Sequence, residues 1–183
     1  MLISPFNSKS CVVVIDSQQK LLNAVAGGDQ ILQRQKIVVQ AMNLLGVDVL
    51  ATEQSPDKLG PTVGELSELF SEKVKVIAKQ AFSCFDSEEF KNRVFTREYK
   101  VMAVMGVEAH VCVQQTVFDL LANRMQPVVL YDTIASRKEL DLQLAVECMR
   151  QAGALITSSE AFIFQQLKTA AHPRFREVAG LIK

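Results

Sequence analysis

The segment Val101-Met-Ala-Val-Met-Gly-Val-Glu-Ala-His-Val-Cys-Val-Gln-Gln-Thr-Val-Phe-Asp-Leu-Leu121 constrains the fold of this chain more than any other. Val101–Met105 is a short, unbroken apolar run between Lys100 and Gly106, the pattern of a strand buried on both faces. From Val113 onward the apolar residues fall at helical spacing, at Val113, Val117, Leu120 and Leu121. Strand, tight turn and helix follow one another, which places Cys112 near the first turn of the helix. Free N–H groups and the positive end of the helix dipole favour a thiolate there.

The same pattern recurs along the chain. Cys11–Asp16 is a second continuous apolar run, ending in an acid. Asp29–Leu45 carries a helical apolar stripe, with Asp29 as its expected cap and Gly46 at its end. Further strands are expected at Val47–Thr52, Lys73–Ala78, Gln126–Tyr131 and Ala154–Ile156. Helices are expected at Glu65–Phe70, from Asp86 to about Phe95, from Ser136 through Met149, and after Thr157. The last three open on capping-box spacings, Asp86/Glu89, Ser136/Glu139 and Thr157/Glu160. Glu53–Pro61 and Asp132–Ser136 read as loops, and the chain beyond His172-Pro173 as a loosely specified tail. Strands alternating with helices call for an α/β fold: three α-β-α layers around a six-stranded parallel sheet, in one domain over residues 1–183.

Composition narrows the function classes. Apolar residues make up 49% of the 183, charged residues 22%, and the formal net charge is zero. No basic excess marks a nucleic-acid surface, so no nucleic-acid partner is expected. No apolar run approaches the roughly 20 residues of a membrane span. The N-terminus MLISPFNSKS shows no signal-peptide pattern, giving a cytoplasmic expectation with a mitochondrial route left open. Cys11, Cys84, Cys112 and Cys148 lack paired spacing and read as free thiols, Cys84 and Cys148 as packing residues. With only His110 and His172, no metal cluster is legible; nor is any nucleotide-binding motif, so no cofactor is expected.

Active sites of parallel α/β sheets collect above the carboxyl ends of the strands. Asp16, Lys79 and Cys112 all lie there: a carboxylate that can take a proton, an ammonium that can hold negative charge, and a nucleophilic sulfur. Glu53 and Gln54 are polar groups near the same crevice, with a solvated-loop role the simpler reading.

Val-Val-Ile-Asp16-Ser-Gln18, Ala-Thr-Glu-Gln54, Leu-Gly-Pro-Thr62, Lys79-Gln-Ala-Phe-Ser-Cys-Phe85 and Gly106-Val-Glu-Ala-His-Val-Cys-Val-Gln-Gln-Thr116 together carry a family likeness. The chain resembles the isochorismatase-like cysteine hydrolases, and among them the isochorismatase domain-containing proteins, from about Ser10 to Gln166. The resemblance implies a Rossmann-like fold, an Asp16-Lys79-Cys112 triad, and a cis peptide at Val107–Glu108. It further implies an oxyanion hole from the N–H groups of Glu108 and Cys112, and a homo-oligomer. Gln18, Phe82, Phe85 and His110 are the expected lining of the substrate pocket. Nicotinamidases of this superfamily hold a metal with histidines after the second strand; here that loop is Glu53-Gln-Ser-Pro-Asp57, with none. Ala109 stands where relatives often carry Thr. The expected activity is metal-independent hydrolysis of a small amide or carbonyl compound through a Cys112 thioester. A binding or assembly protein with a vestigial triad is the alternative, and a ribonuclease a more distant one.

Overall fold

The structure is a computed structural model and describes residues 9–183. Most of the N-terminal stretch used for the targeting expectation, residues 1–8, lies outside the described residues. In chain order the elements are β1 (Ser10–Ile15), the short α1 (Gln19–Leu22), α2 (Gly28–Leu45) and β2 (Asp48–Gln54). The short helices α3 (Pro56–Leu59) and α4 (Gly64–Ser67) lead to β3 (Val76–Lys79), α5 (Glu88–Thr96) and β4 (Val101–Val107). Then come α6 (Gln114–Ala122), β5 (Gln126–Ala135), α7 (Glu139–Ala152), β6 (Leu155–Thr157), α8 (Ser159–Leu167) and α9 (Phe175–Ile182).

All six strands are parallel, in the order β3-β2-β1-β4-β5-β6. The continuous apolar runs are explained by layers on both faces. On β1, Val12 and Val14 enter one core with α2, α8 and α9, while Cys11, Val13 and Ile15 enter a second with α5, α6 and α7. On β4, Val101, Ala103, Met105 and Val107 face the first core, and Met102 and Val104 the second. Side chains alternate faces along a strand, and here both faces are dry. The chain order reverses between β1 and β4, which opens a crevice above their carboxyl ends.

Several expected boundaries moved, each for a local reason. Gly106 does not end the fourth strand. It continues through Gly106 to Val107, and Gly106 sits at φ +129°, where an added Cβ would lie 2.0 Å from the carbonyl oxygen of Ile15. β3 is shorter than expected, starting at Val76 rather than Lys73. Asp132–Ala135 is no loop: β5 bulges past Val129 and rejoins β4, pairing Ile134 with Gly106 and Ala135 with Val107. The capping boxes are displaced. Ser87, not Asp86, caps α5, because Cys84–Asp86 is wound into a 3-10 turn. Ser158, not Thr157, caps α8, because Thr157 still belongs to β6. Ser136 is still leaving the sheet, so α7 begins at Glu139. Gly27 rather than Asp29 stands at the start of α2, while Gly46 ends it in the left-handed conformation as expected. The tail forms α9, which buries Val178 in the first core. Among the described residues no helix is long and apolar enough to cross a membrane.

Gly106→Ala is expected to lose about 3 kcal/mol or more, since it combines a positive φ with a backbone collision. Gly180→Ala in α9 meets nothing within 4 Å and should gain about 0.5–1 kcal/mol from helix propensity. Urea unfolding of the two variants checks both signs.

Candidate active site

Each expected chemical group comes from the end of a different strand. Asp16 follows β1 directly and takes a left-handed backbone at φ 54°, which Asp tolerates better than most residues. That turn points its carboxylate inward, where it is fully buried. Lys79 is the last residue of β3, two strands away across β2, a gap of roughly 10 Å. Its four-carbon stem spans that gap, and Nζ donates to Asp16 Oδ2 at 2.6 Å. A lysine at a strand end commonly reaches for solvent, but this side chain is 1% exposed.

A buried ion pair survives only when its remaining polar capacity is met. Thr52 Oγ1 donates to Asp16 Oδ1 at 2.8 Å. Lys79 Nζ also donates to Gln54 Oε1 at 2.8 Å, to the Phe82 carbonyl at 3.0 Å and to the Ala81 carbonyl at 3.3 Å. Burial pulls the Lys79 pKa down, but the charge of Asp16 and the neighbouring Cys84 and Cys112 outweigh it, leaving a net rise. The ammonium stays charged.

Cys112 completes the group. It lies in a π-helical turn, Ala109–Val113, that joins β4 to α6. The Glu108 carbonyl accepts from both the Val111 and Val113 N–H groups, at 3.1 and 3.2 Å. The Val107–Glu108 peptide is cis, where the family likeness places it. Cys112 keeps 5% of its surface exposed. Burial pushes its thiol well above the ordinary value; the charge of Asp16 and a hydrogen bond to it push further, and Lys79 pulls back. The resting thiol is therefore protonated and faces a carboxylate. Desolvation at this turn works against the helix-stabilised thiolate expected from the sequence.

The expected pocket residues separate into two groups. His110 Nδ1 lies 2.9 Å from Ser136 Oγ, and the residue is partly buried. Phe82 is 51% exposed and gives its carbonyl to Lys79. Gln18 is fully buried, and its amide is spent on the loop: Nε2 donates to the carbonyls of Gln54 and Gly60, and Oε1 accepts from the Gln54 N–H at 2.8 Å. No polar atom of Gln18 is left for a ligand, so its role corrects to a loop clamp. Phe85 is a packing residue, edge-on to Phe90 and Phe95 with ring centroids 5.4 and 6.3 Å apart.

Sequence reasoning undervalued four residues. Gln54 is a direct partner of Lys79, and Thr52 a direct partner of Asp16. Glu53, read with them as a loop group, instead anchors Thr62 through its N–H and hydroxyl at 2.6 and 2.8 Å. Cys84 is not merely loop filler: its sulfur lies 3.7 Å from Thr52 Oγ1, beside the ion pair. Thr116 Oγ1 accepts from the Cys84 N–H at 3.0 Å and donates to the Cys112 carbonyl at 2.7 Å, tying the two cysteine segments together. The one signal available was the polar Thr-Glu-Gln ending of an otherwise apolar strand. Among the described residues, no group of three or more His, Cys, Asp or Glu side chains is arranged to hold a metal ion.

Comparison with known proteins decides the family. The Isochorismatase domain model matches residues 10–161. The chain belongs to the isochorismatase family. It is 36% identical to isochorismatase domain-containing protein 2 of Pongo abelii over 176 residues, covering 95% of this chain and 83% of the relative. Among solved structures, the MAR1 ribonuclease of Caenorhabditis elegans superposes with a TM-score of 0.91 at 33% identity, over 98% of this chain and 91% of that one. The YcaC protein of Escherichia coli, described as an octameric hydrolase of unknown specificity, shares the family fold. Its TM-score is 0.90 at 20% identity, over 98% of this chain and 88% of that one.

Two measurements follow from the electrostatics. Burial first, and then the charge of Asp16, push the Cys84 thiol from its ordinary 9.0 up to about 11; Cys11 and Cys112 are shifted the same way. These raised values make the thiols' contribution to stability whole below pH 9, where the unfolded chain also keeps its protons. It is lost as pH rises through the folded values. Urea unfolding between pH 8 and 11 should show a decline of which Cys84 supplies on the order of 3 kcal/mol, so Cys84→Ala should decline by about that much less. Asp16→Asn removes a charge that raises the Cys112 pKa, so alkylation of Cys112 should set in at lower pH. Peptide mass spectrometry in a Cys148→Ser background, which removes the exposed thiol, reads this.

Proposed function

We propose that this chain is a cysteine hydrolase that cleaves a small amide or related acyl compound through a thioester on Cys112. The observation that carries the reading is the buried Asp16–Lys79 pair set against a protonated thiol at the reversal point of the sheet. As substrate enters, Cys112 Sγ bonds to the carbonyl carbon and its proton passes to Asp16. Lys79 holds that carboxylate in place through its 2.6 Å contact with Oδ2. The N–H groups of Glu108 and Cys112 receive the oxyanion. The C–N bond breaks as the proton on Asp16 moves to the leaving nitrogen. Asp16 then takes a proton from water, whose oxygen attacks the thioester; as the C–S bond breaks, that proton passes from Asp16 to Sγ, which releases the acid and restores both the thiol and the carboxylate.

Hydrolase relatives and the histidine-free loop after β2 support a route in which the sulfur, not a metal-bound water, attacks. His110 and Phe82 are candidates for substrate contact. We further read the chain as a homo-oligomer, on the precedent of the octameric relative and the exposed Leu140 and Leu144 of α7, 63% and 56% accessible. Ribonuclease activity is the second reading, favoured by one observation, the description of the 33% identical nematode relative.

Cys112→Ala should reduce turnover of a small-amide panel by at least about a thousandfold and leave the urea midpoint close to wild type. Undiminished turnover would remove the thioester from the mechanism. The same two proteins incubated with RNA separate the readings: cleavage that is lost with Cys112 favours the nuclease, and cleavage indifferent to it marks a contaminant.

A further inference from the structure

The far end of the sheet holds a second feature that the hydrolase chemistry leaves unused. A cleft of about 180 Å3 opens between the end of α2, the start of β2 and the end of α5. It lies beside Asp48 and Val49, at the amino end of β2, while Gln54 and the ion pair lie at its carboxyl end. Those positions are separated by roughly 20 Å of extended strand.

Three cations line the cleft, Lys73, Arg93 and Arg97, against one carboxylate, Asp48. Among the described residues none of the three is in an ion pair, although Lys75 and Lys91 nearby both are. Asp48 is already committed, since its Oδ2 accepts from the Tyr99 hydroxyl. Arg93 lines the cleft through its other N–H groups; its Nη1 is sealed from solvent without a hydrogen-bond partner among the described residues, and so is closed to a ligand as well. Val47 and Val74, both half-buried, give the cleft apolar surface beside the polar Asn43 and Ser71, and that surface is its apolar floor.

We infer that this cleft binds the phosphate group of a small phosphomonoester, with the forked donors of Arg93 and Arg97 and the Lys73 ammonium on the oxyanion and the ligand's organic part against the apolar floor. Two arginines suit this task because a guanidinium presents parallel N–H donors to a tetrahedral oxyanion. The surplus of cations over the single carboxylate supplies the long-range attraction. The apolar floor favours an ester over free phosphate.

Calorimetric titration of the full chain at low ionic strength tests this, with phenyl phosphate and inorganic phosphate as probes and sodium chloride at matched ionic strength as control. One site per chain is expected, with phenyl phosphate binding more tightly than inorganic phosphate. Arg93→Gln and the more exposed Arg97→Gln should each weaken binding by about tenfold or more, and Cys112→Ala should leave it unchanged. Should Arg93→Gln fail to fold, Arg97→Gln carries the comparison. Absence of saturable binding by either probe overturns the assignment. So does binding that survives Arg97→Gln undiminished, or that disappears with Cys112→Ala. Phosphate binding as tightly as its phenyl ester overturns the role given to the apolar floor.

Discussion

The salt link between Asp16 and Lys79 holds the carboxyl end of the sheet together. Both charges are out of water, and removing either partner would strand the other at a cost of about 3–5 kcal/mol. What makes the pair tolerable is that four further contacts satisfy it, from Thr52, Gln54 and the carbonyls of Ala81 and Phe82. The lysine therefore fixes more than its own position. It pins the turn after β1, the end of the edge strand β3 and the backbone that leads to Cys84.

The turn carrying Cys112 depends on that arrangement from the other side. β4 can lie close to the end of β1 only because Gly106 has no side chain to meet the Ile15 carbonyl. The chain then leaves the sheet at Val107, passes through the π-helical turn, and delivers the thiol toward a carboxylate already held by its cation. Thr116 joins this turn to Cys84, so the two sulfur-bearing segments move as one unit. In the proposed reading, a thiol kept neutral by burial beside the Asp16 carboxylate holds its proton until an electrophile arrives. This differs from a standing thiolate, which would be exposed to oxidation between turnovers.

The two ends of the sheet have opposite electrostatic character. At the carboxyl end the central charges, Asp16 and Lys79, are buried and paired with each other. At the amino end, around Arg93 and Arg97, positive charge is in surplus and open to a ligand. One strand, β2, contributes to both, through Thr52 and Gln54 at one end and Asp48 at the other. An occupied cleft would press on the same strand that braces the ion pair.

The linear sequence determined the layered α/β architecture, because only a strand covered on both faces can be apolar at successive positions, as at Cys11–Ile15 and Val101–Met105. It also determined which residues stand at strand ends, and so named Asp16, Lys79 and Cys112. It did not determine the helix starts, where Ser87, Ser158 and Gly27 took the cap positions from residues with equally good spacing; caps depend on where the preceding strand lets go. Gln18 and Phe85 looked like pocket residues because proximity along the chain to a site says nothing of which way a side chain turns. Tertiary structure alone decided that Lys79 crosses β2 to reach Asp16, that Thr52 and Gln54 brace the pair, and that burial raises the Cys112 pKa. Those properties arise from burial and from contacts between residues 25 to 63 positions apart, and neither is written in any local pattern.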